Sequence, residues 1–135
     1  MTKEEIIQNY SSLSLAYVGD AVYELLVRTH LFKDGDTPNG VMHKRARDYV
    51  SASAQNRLLG IISDSLTEQE SGVVRRGRNV KSHSHPKNAD IAEYHNATGF
   101  EALFGFLHLA GDNERIKELF EKSTLKAYKE NQENN

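Results

Sequence analysis

Two helical stretches of this chain carry carboxylates where apolar residues would be expected. In LAYVGDAVYE, Leu15 to Glu24, Asp20 and Glu24 are the only charged residues found anywhere between Ser11 and Val27. From His95 to Ala110, HNATGFEALFGFLHLA, Glu101 is the only acid and no lysine or arginine occurs; Thr98 lies one turn earlier on the same face. A carboxylate among apolar neighbours needs a partner, because burying it alone is costly or forces protonation. Two such acids on two apolar helices can meet and share a cation. An all-oxygen donor set favours Mg²⁺, with Mn²⁺ as a substitute, over zinc. Glu24 has a plainer explanation, an ion pair with Arg28 at i+4. Asp20 faces Ala16, Tyr17, Tyr23 and Glu24 at helical spacings, and Glu101 faces Ala97, Thr98, Phe104 and Gly105, so neither has a local cation. A distant arginine is the alternative to a metal.

Phosphate chemistry is suggested elsewhere. Residues 41–89 hold nine Lys/Arg and four Asp/Glu, whereas the other 86 hold eight and fifteen, an asymmetry hidden by the net charge of −2. A local basic face points to a polyanionic partner; the plainer reading is a solvated charge run. SGVVRRGRNVKSHSHPKNA, Ser71 to Ala89, contains Arg75, Arg76, Arg78, Lys81 and Lys87 and no acid. Guanidinium forks match phosphate oxygens, and displaced counterions favour binding. No aromatic residue interleaves, so contact with a duplex backbone fits better than stacking on single-stranded bases. Lys44, Arg45 and Arg47 add three cations, for which an ordinary solvated face is the rival reading. His83 and His85 lack a third ligand at zinc spacing and read as idle.

The elements that must position these groups are helical. Leu15, Val18, Val22, Leu25 and Thr29 follow the i, i+3, i+4 pattern and predict one buried face, with Asp20 and Glu24 roughly opposite. Thr37-Pro38 predicts a helix start, the helix continuing to about Leu59. Thr67 to Glu70 predicts a capping box for a helix ending near Arg76 or Arg78. Gly77 to Asn88 reads as a loop. A helix or helix pair spans Asn88 to Ala110, with a break expected near Asn96 to Gly99. Asp112 caps a last helix with Ile116, Leu119 and Phe120 inside. The expected fold is all-α, one domain over residues 1–135 with a core at about 11–128 and a polar tail at 129–135. Cysteine is absent, the N-terminus has no apolar signal region, and no apolar run reaches the ~18 residues of a membrane span, so a cytoplasmic protein is expected.

LAYVGDAVYE resembles the signature helix of the ribonuclease III family, commonly LEFLGDAVLE, at Leu15, Gly19, Asp20, Ala21, Val22 and Glu24. ATGFEALFGFLHLAGD resembles its second motif, commonly ADTVEALIGALYLD, at Ala97, Glu101, Ala102, Leu103 and Gly105. The resemblance covers roughly Ser11 to Phe120. With AYVGDAVYE, RRGRN and no room for a separate double-stranded RNA-binding domain, the chain is most similar to the family's Mini-ribonuclease III subclass.

The resemblance implies a ribonuclease III-type helical domain forming a two-fold dimer. It implies an Mg²⁺-dependent endoribonuclease of double-stranded RNA, with 5′-phosphate products. Asp20 and Glu101 fall on catalytic metal ligands. Ala16 and Thr98 stand where the longer enzymes carry acids, a departure the subclass shares, and Glu24 is a helix residue near the site. Arg75, Arg76, Arg78, Asn79 and Lys81 would supply the grip on RNA, and Tyr17, Val18, Ala21 and Tyr23 the dimer contacts. The implied substrate is the large-subunit (23S) ribosomal RNA precursor, with a ribosomal protein as a further partner. The competing readings are a catalytically silent RNA-binding module, an all-α phosphohydrolase of small nucleotides, and a structural protein–protein module.

Overall fold

The computed structural model describes residues 1–33, 35, 38–80 and 90–133, with side chains through Thr124. Thr37, Lys81, His83, His85 and Lys87 lie outside the described residues. Among the described residues seven α-helices follow one another: α1 Lys3–Asn9, α2 Ser12–Phe32, α3 Asn39–Val50, α4 Ala52–Ile62, α5 Glu68–Arg78, α6 Ile91–Leu109 and α7 Asn113–Glu133. Among the described residues no strand occurs, and no helix is long and apolar enough to cross a membrane. The all-α expectation holds.

The central element is α6. Its residues from Ala97 to Leu107, Glu101 excepted, are all buried, and α1, α2, α4, α5 and α7 pack around it. An unbroken helix is what a sequence apolar on every side requires at the centre of a fold. The expected break at Asn96 to Gly99 is absent because those residues serve packing. Asn96 donates to Asn56 Oδ1 at 2.6 Å, and Gly99 is where α5 crosses. A Cβ on Gly99 would lie 2.7 Å from the Val74 carbonyl oxygen, and one on Gly77 would lie 2.8 Å from Gly99 Cα. Gly77 and Arg78 therefore belong to α5, not to the loop predicted from Gly77 onward.

Three further expectations need correction or refinement. The buried line of α2 is Leu15, Gly19, Tyr23, Val27 and Leu31; Val18 and Val22 are only half-buried, and Leu25 is 67% exposed. Tyr23 draws this line inward. It stacks edge-on against Phe100 at 4.9 Å and donates its hydroxyl to the Tyr49 carbonyl oxygen at 2.8 Å. The helix predicted from Pro38 to Leu59 is two helices. Ser51 is extended (φ −64°, ψ 155°) and its hydroxyl accepts from Ala54 N–H at 3.2 Å, so it caps α4 and lets that helix turn onto α6. The final helix continues to Glu133, through the residues read as a polar tail.

The caps read at Thr67 and Asp112 are present, whereas α3 starts at Asn39 with Pro38 in the cap position rather than inside the helix. Thr67 and Glu70 form the reciprocal capping box of α5. Gly111, at φ 72°, ends α6 in the left-handed conformation glycine accepts, and Asp112 then accepts from Arg115 N–H at 3.2 Å to start α7. Glu70 has a second task. Buried on α5, it receives a two-pronged bond from Arg115 of α7, both contacts at 2.9 Å. Burial, the largest single effect, would raise the Glu70 carboxyl, but the bonds from Arg115 and Thr67, together with the charges of Arg115 and Lys3, hold it below the ordinary range.

Candidate active site

Glycine sets the distance between the two acid-bearing helices. Where α2 crosses α6, Gly19 faces the Glu101 backbone and Gly105 faces the Leu15 backbone. A Cβ on Gly19 would fall 2.6 Å from the Glu101 carbonyl carbon, with the carbonyl oxygen nearer still; one on Gly105 would fall 2.8 Å from the Leu15 carbonyl carbon. Only glycine permits such an approach. Asp20 follows Gly19 directly, so this crossing brings its carboxylate close enough for its charge to act on Glu101.

The electrostatics follow from that contact. Burial, then the hydrogen bond and the negative charge of Asp20, push the Glu101 carboxyl up to about 8, against the opposing effect of a hydrogen bond from Gln55. Two carboxylates so close share a proton unless a cation replaces it. Such a pair, with only oxygen donors, fits a hard divalent ion. Among the described residues no group of three or more histidines or acids forms a fuller cage. The small, buried Ala16 and Thr98 stand one turn before Asp20 and Glu101; the Thr98 hydroxyl is directed away into its own helix, donating to the Tyr94 carbonyl oxygen at 3.0 Å. Any ion held by Asp20 and Glu101 thus has room for water and for substrate oxygens.

Glu24 is not brought to this pair by any described contact. Its Oε1 lies 2.8 Å from Arg28 Nη2, the i+4 ion pair read as the plainer explanation. Gln55 is a site residue that the sequence reading missed. It sits in an ordinary amphipathic helix, and nothing in its neighbours signals that the α4 turn at Ser51 would aim it at Glu101.

The basic candidates occupy two places. Arg75, Arg76 and Arg78 are exposed on the last turn of α5, with Asn79 as its C-cap, and none forms an ion pair among the described residues. The Arg78 stem runs beside Gly99, two residues from Glu101, so this turn is tethered near the acid pair. Lys44, Arg45 and Arg47 are exposed on α3, which packs on α2 and α4 instead. There Arg47 borders an open pocket of about 450 Å³ with Asp48, Ser51, Ser53 and Arg57, the last a cation the sequence reading did not single out.

One flank of α2 is apolar and uncovered. Leu13, Tyr17 and Leu25 are 52%, 84% and 67% exposed, and Ala21 is exposed between them. Tyr10, Leu13, Tyr17, Val18 and Leu109 border a groove of about 410 Å³. Tyr23 does not belong to this flank. It is 1% exposed and packs wholly within the chain's own aromatic core.

Comparison with known proteins agrees with this arrangement. Residues 13–112 match the family model of the ribonuclease III domain. A Mini-ribonuclease 3 of Thermoanaerobacter sp. is 46% identical over 123 residues, which is 91% of this chain and 86% of that protein. One of Symbiobacterium thermophilum is 51% identical over 109 residues, 81% of this chain and 84% of that protein. A crystal structure of a protein from Fusobacterium nucleatum matches with a TM-score of 0.78 and 30% identity, covering 84% of this chain and 93% of that one.

Proposed function

The chain belongs to the ribonuclease III family and is an endoribonuclease of double-stranded RNA; on that premise we propose that Asp20 and Glu101 hold Mg²⁺ and form its hydrolytic centre. The observation that carries this is the pairing of two carboxylates across the glycine-lined crossing of α2 and α6. A bound divalent ion supplies Lewis acidity there, making hydroxide accessible near neutral pH and stabilising the leaving oxygen. The rest is the work of the protein. The rigid crossing fixes the direction of both carboxylates, so little reorganisation is needed when the phosphate arrives. Arg75, Arg76 and Arg78, with Asn79, hold the duplex backbone beside the acids, and Lys81 and Lys87 extend the basic sequence beyond α5. Lys44, Arg45 and Arg47 form a second contact. Hydrolysis leaves a 5′-phosphate and a 3′-hydroxyl.

A duplex has two strands, and one acid pair addresses one of them. The uncovered flank of α2 supports a two-fold homodimer through Leu13, Tyr17, Val18 and Ala21, which gives two centres. For the natural substrate we take the large-subunit (23S) ribosomal RNA precursor, presented by a ribosomal protein in the cytoplasm, as the resemblance to the subclass implies. The deciding experiment is cleavage of an end-labelled RNA duplex with Mg²⁺, with EDTA, and with Asp20→Asn. Cutting that needs Mg²⁺ and disappears in the variant supports the reading. Duplex binding without cutting by the unaltered protein, in Mg²⁺ and in Mn²⁺, replaces it with a silent RNA-binding module.

A further inference from the structure

We propose that Arg75 and Arg76 form one clamp, seated over Gly72, for a single phosphate of the duplex backbone that is not the one cut. This rests on the reading of the last turn of α5 as an RNA contact. Gly72 lies four residues before Arg76 and three before Arg75, so the three share one side of the helix. Beyond the local backbone, the three heavy atoms nearest to the place of a Gly72 Cβ are all guanidinium nitrogens. Arg76 Nη1 lies at 3.5 Å, Arg75 Nη2 at 3.8 Å and Arg76 Nη2 at 3.9 Å. Both side chains therefore fold back onto the same spot instead of diverging into solvent. Gly72 is buried under them, although it is turned about 140° around the helix from Gly77, which packs on α6.

Two like charges gathered at one point call for an anion, and the chain supplies none. Among the described residues neither arginine forms an ion pair, not even with Glu68, one turn before Gly72. Arg28 shows the alternative. Glu24 stands four residues before it, and the two close at 2.8 Å. Arg76 has glycine at that position, so its fork stays available. A phosphodiester has two non-bridging oxygens, and each planar guanidinium fork can serve one of them. The clamp also has a direction. Gly77 meets Gly99, two residues from Glu101, so the side that carries Gly72 points away from the acids. A phosphate held there keeps the same contact throughout the reaction, which strengthens binding and not the chemical step.

The test uses the full chain and a labelled RNA duplex, with affinity measured in Ca²⁺ and single-turnover cleavage in Mg²⁺ over a range of protein concentrations. Arg75→Gln and Arg76→Gln are made singly and together. Each alone should weaken duplex affinity about tenfold, and the double variant only about threefold more, where independent contacts would multiply to about a hundredfold. The loss should fall on the half-saturating protein concentration and not on the rate at saturation. Gly72→Glu gives Arg76 the carboxylate that Arg28 has, and so fills the clamp from within while both arginines remain. It should weaken affinity about as much as the double variant, and add little when built into it. A Cβ at 72 meets no atom closer than 3.5 Å, and all three positions lie on the outer side of α5, so these variants should fold. Multiplying losses in the arginine pair, or an equal loss from Gly72→Glu in both backgrounds, overturns the shared clamp and leaves two separate contacts. A loss confined to the rate at saturation overturns the assignment to an uncut phosphate. Unchanged affinity in every variant overturns the RNA contact at this turn, and the clamp with it.

Discussion

Gly19→Ala is the substitution that most directly probes how this molecule makes its site. The added Cβ would meet the Glu101 carbonyl carbon at 2.6 Å and Gly105 N at 2.8 Å, where ordinary contact begins at 3.4 Å, and the Glu101 carbonyl oxygen is closer than either. Both obstacles are helix backbone, so no side-chain rotation relieves them. The two helices must separate by more than about 1 Å at the crossing, and overpacking of this kind costs about 3 kcal/mol, the upper end of the usual range. Against a total stability of about 5–15 kcal/mol this leaves a weakened protein. The same displacement moves Asp20 relative to Glu101, and a misplacement of about 1 Å costs on the order of 100-fold in rate. Urea unfolding gives the first quantity, and single-turnover cleavage of a labelled duplex at low temperature gives the second. Gly60→Ala is the control: nothing lies within 4 Å of its Cβ, so alanine there should stabilise α4 by about 0.5–1 kcal/mol. A Gly19→Ala protein with unchanged stability and rate would refute the claim that the glycine crossing builds the site.

Four other outcomes follow from the structure. Because burial and then Asp20 raise Glu101 to about 8, the metal-free folded state retains a proton that the unfolded chain has lost between about pH 4.5 and 8. Its stability should fall as pH rises through that window, by a few kcal/mol at most, and thermal unfolding in EDTA should show the slope vanish in Glu101→Gln. Arg115→Met strands the buried Glu70 and should cost about 3 kcal/mol in urea unfolding at pH 7. Since Glu70 is held low, the wild-type pair contributes above the ordinary glutamate range and is lost as pH falls through its folded value, so the gap between the two proteins should close in acid. Tyr17→Asp puts a charge on the 84%-exposed centre of the α2 flank and should shift sedimentation from dimer to monomer. Arg75→Ala and Arg76→Ala should weaken duplex binding and each reduce the salt slope by about one; an unchanged slope would place the main RNA contact elsewhere.

Much of this molecule was legible in its sequence. Local caps fix helix starts through neighbours three residues apart, so the Thr67–Glu70 box and the Asp112 cap could be read directly. The acid Glu101 stood out because burying charge requires a reason, whatever the fold; Asp20, read the same way, lies exposed at the crossing. What stayed hidden depends on which helix meets which. Gly99 read as a break and Gly77 as a loop because glycine weakens a helix locally; only the α5–α6 contact shows that both are needed for closeness. Ser51 looked like one polar residue in a continuing helix until α4 was seen turning onto α6. The face of α2 shifted towards Tyr23 because Phe100, Phe104 and the Tyr49 carbonyl wait there, all distant in the chain.

The sequence by itself determined the helical class, several helix ends and the acid of the central helix that demands a partner, because caps and periodicity act within a turn and the cost of a buried charge is independent of topology. The tertiary structure alone decided that Asp20 comes beside Glu101 and that Tyr17 lies exposed while Tyr23 does not. Those are distances between helices, and they are set by how closely glycine lets two backbones approach.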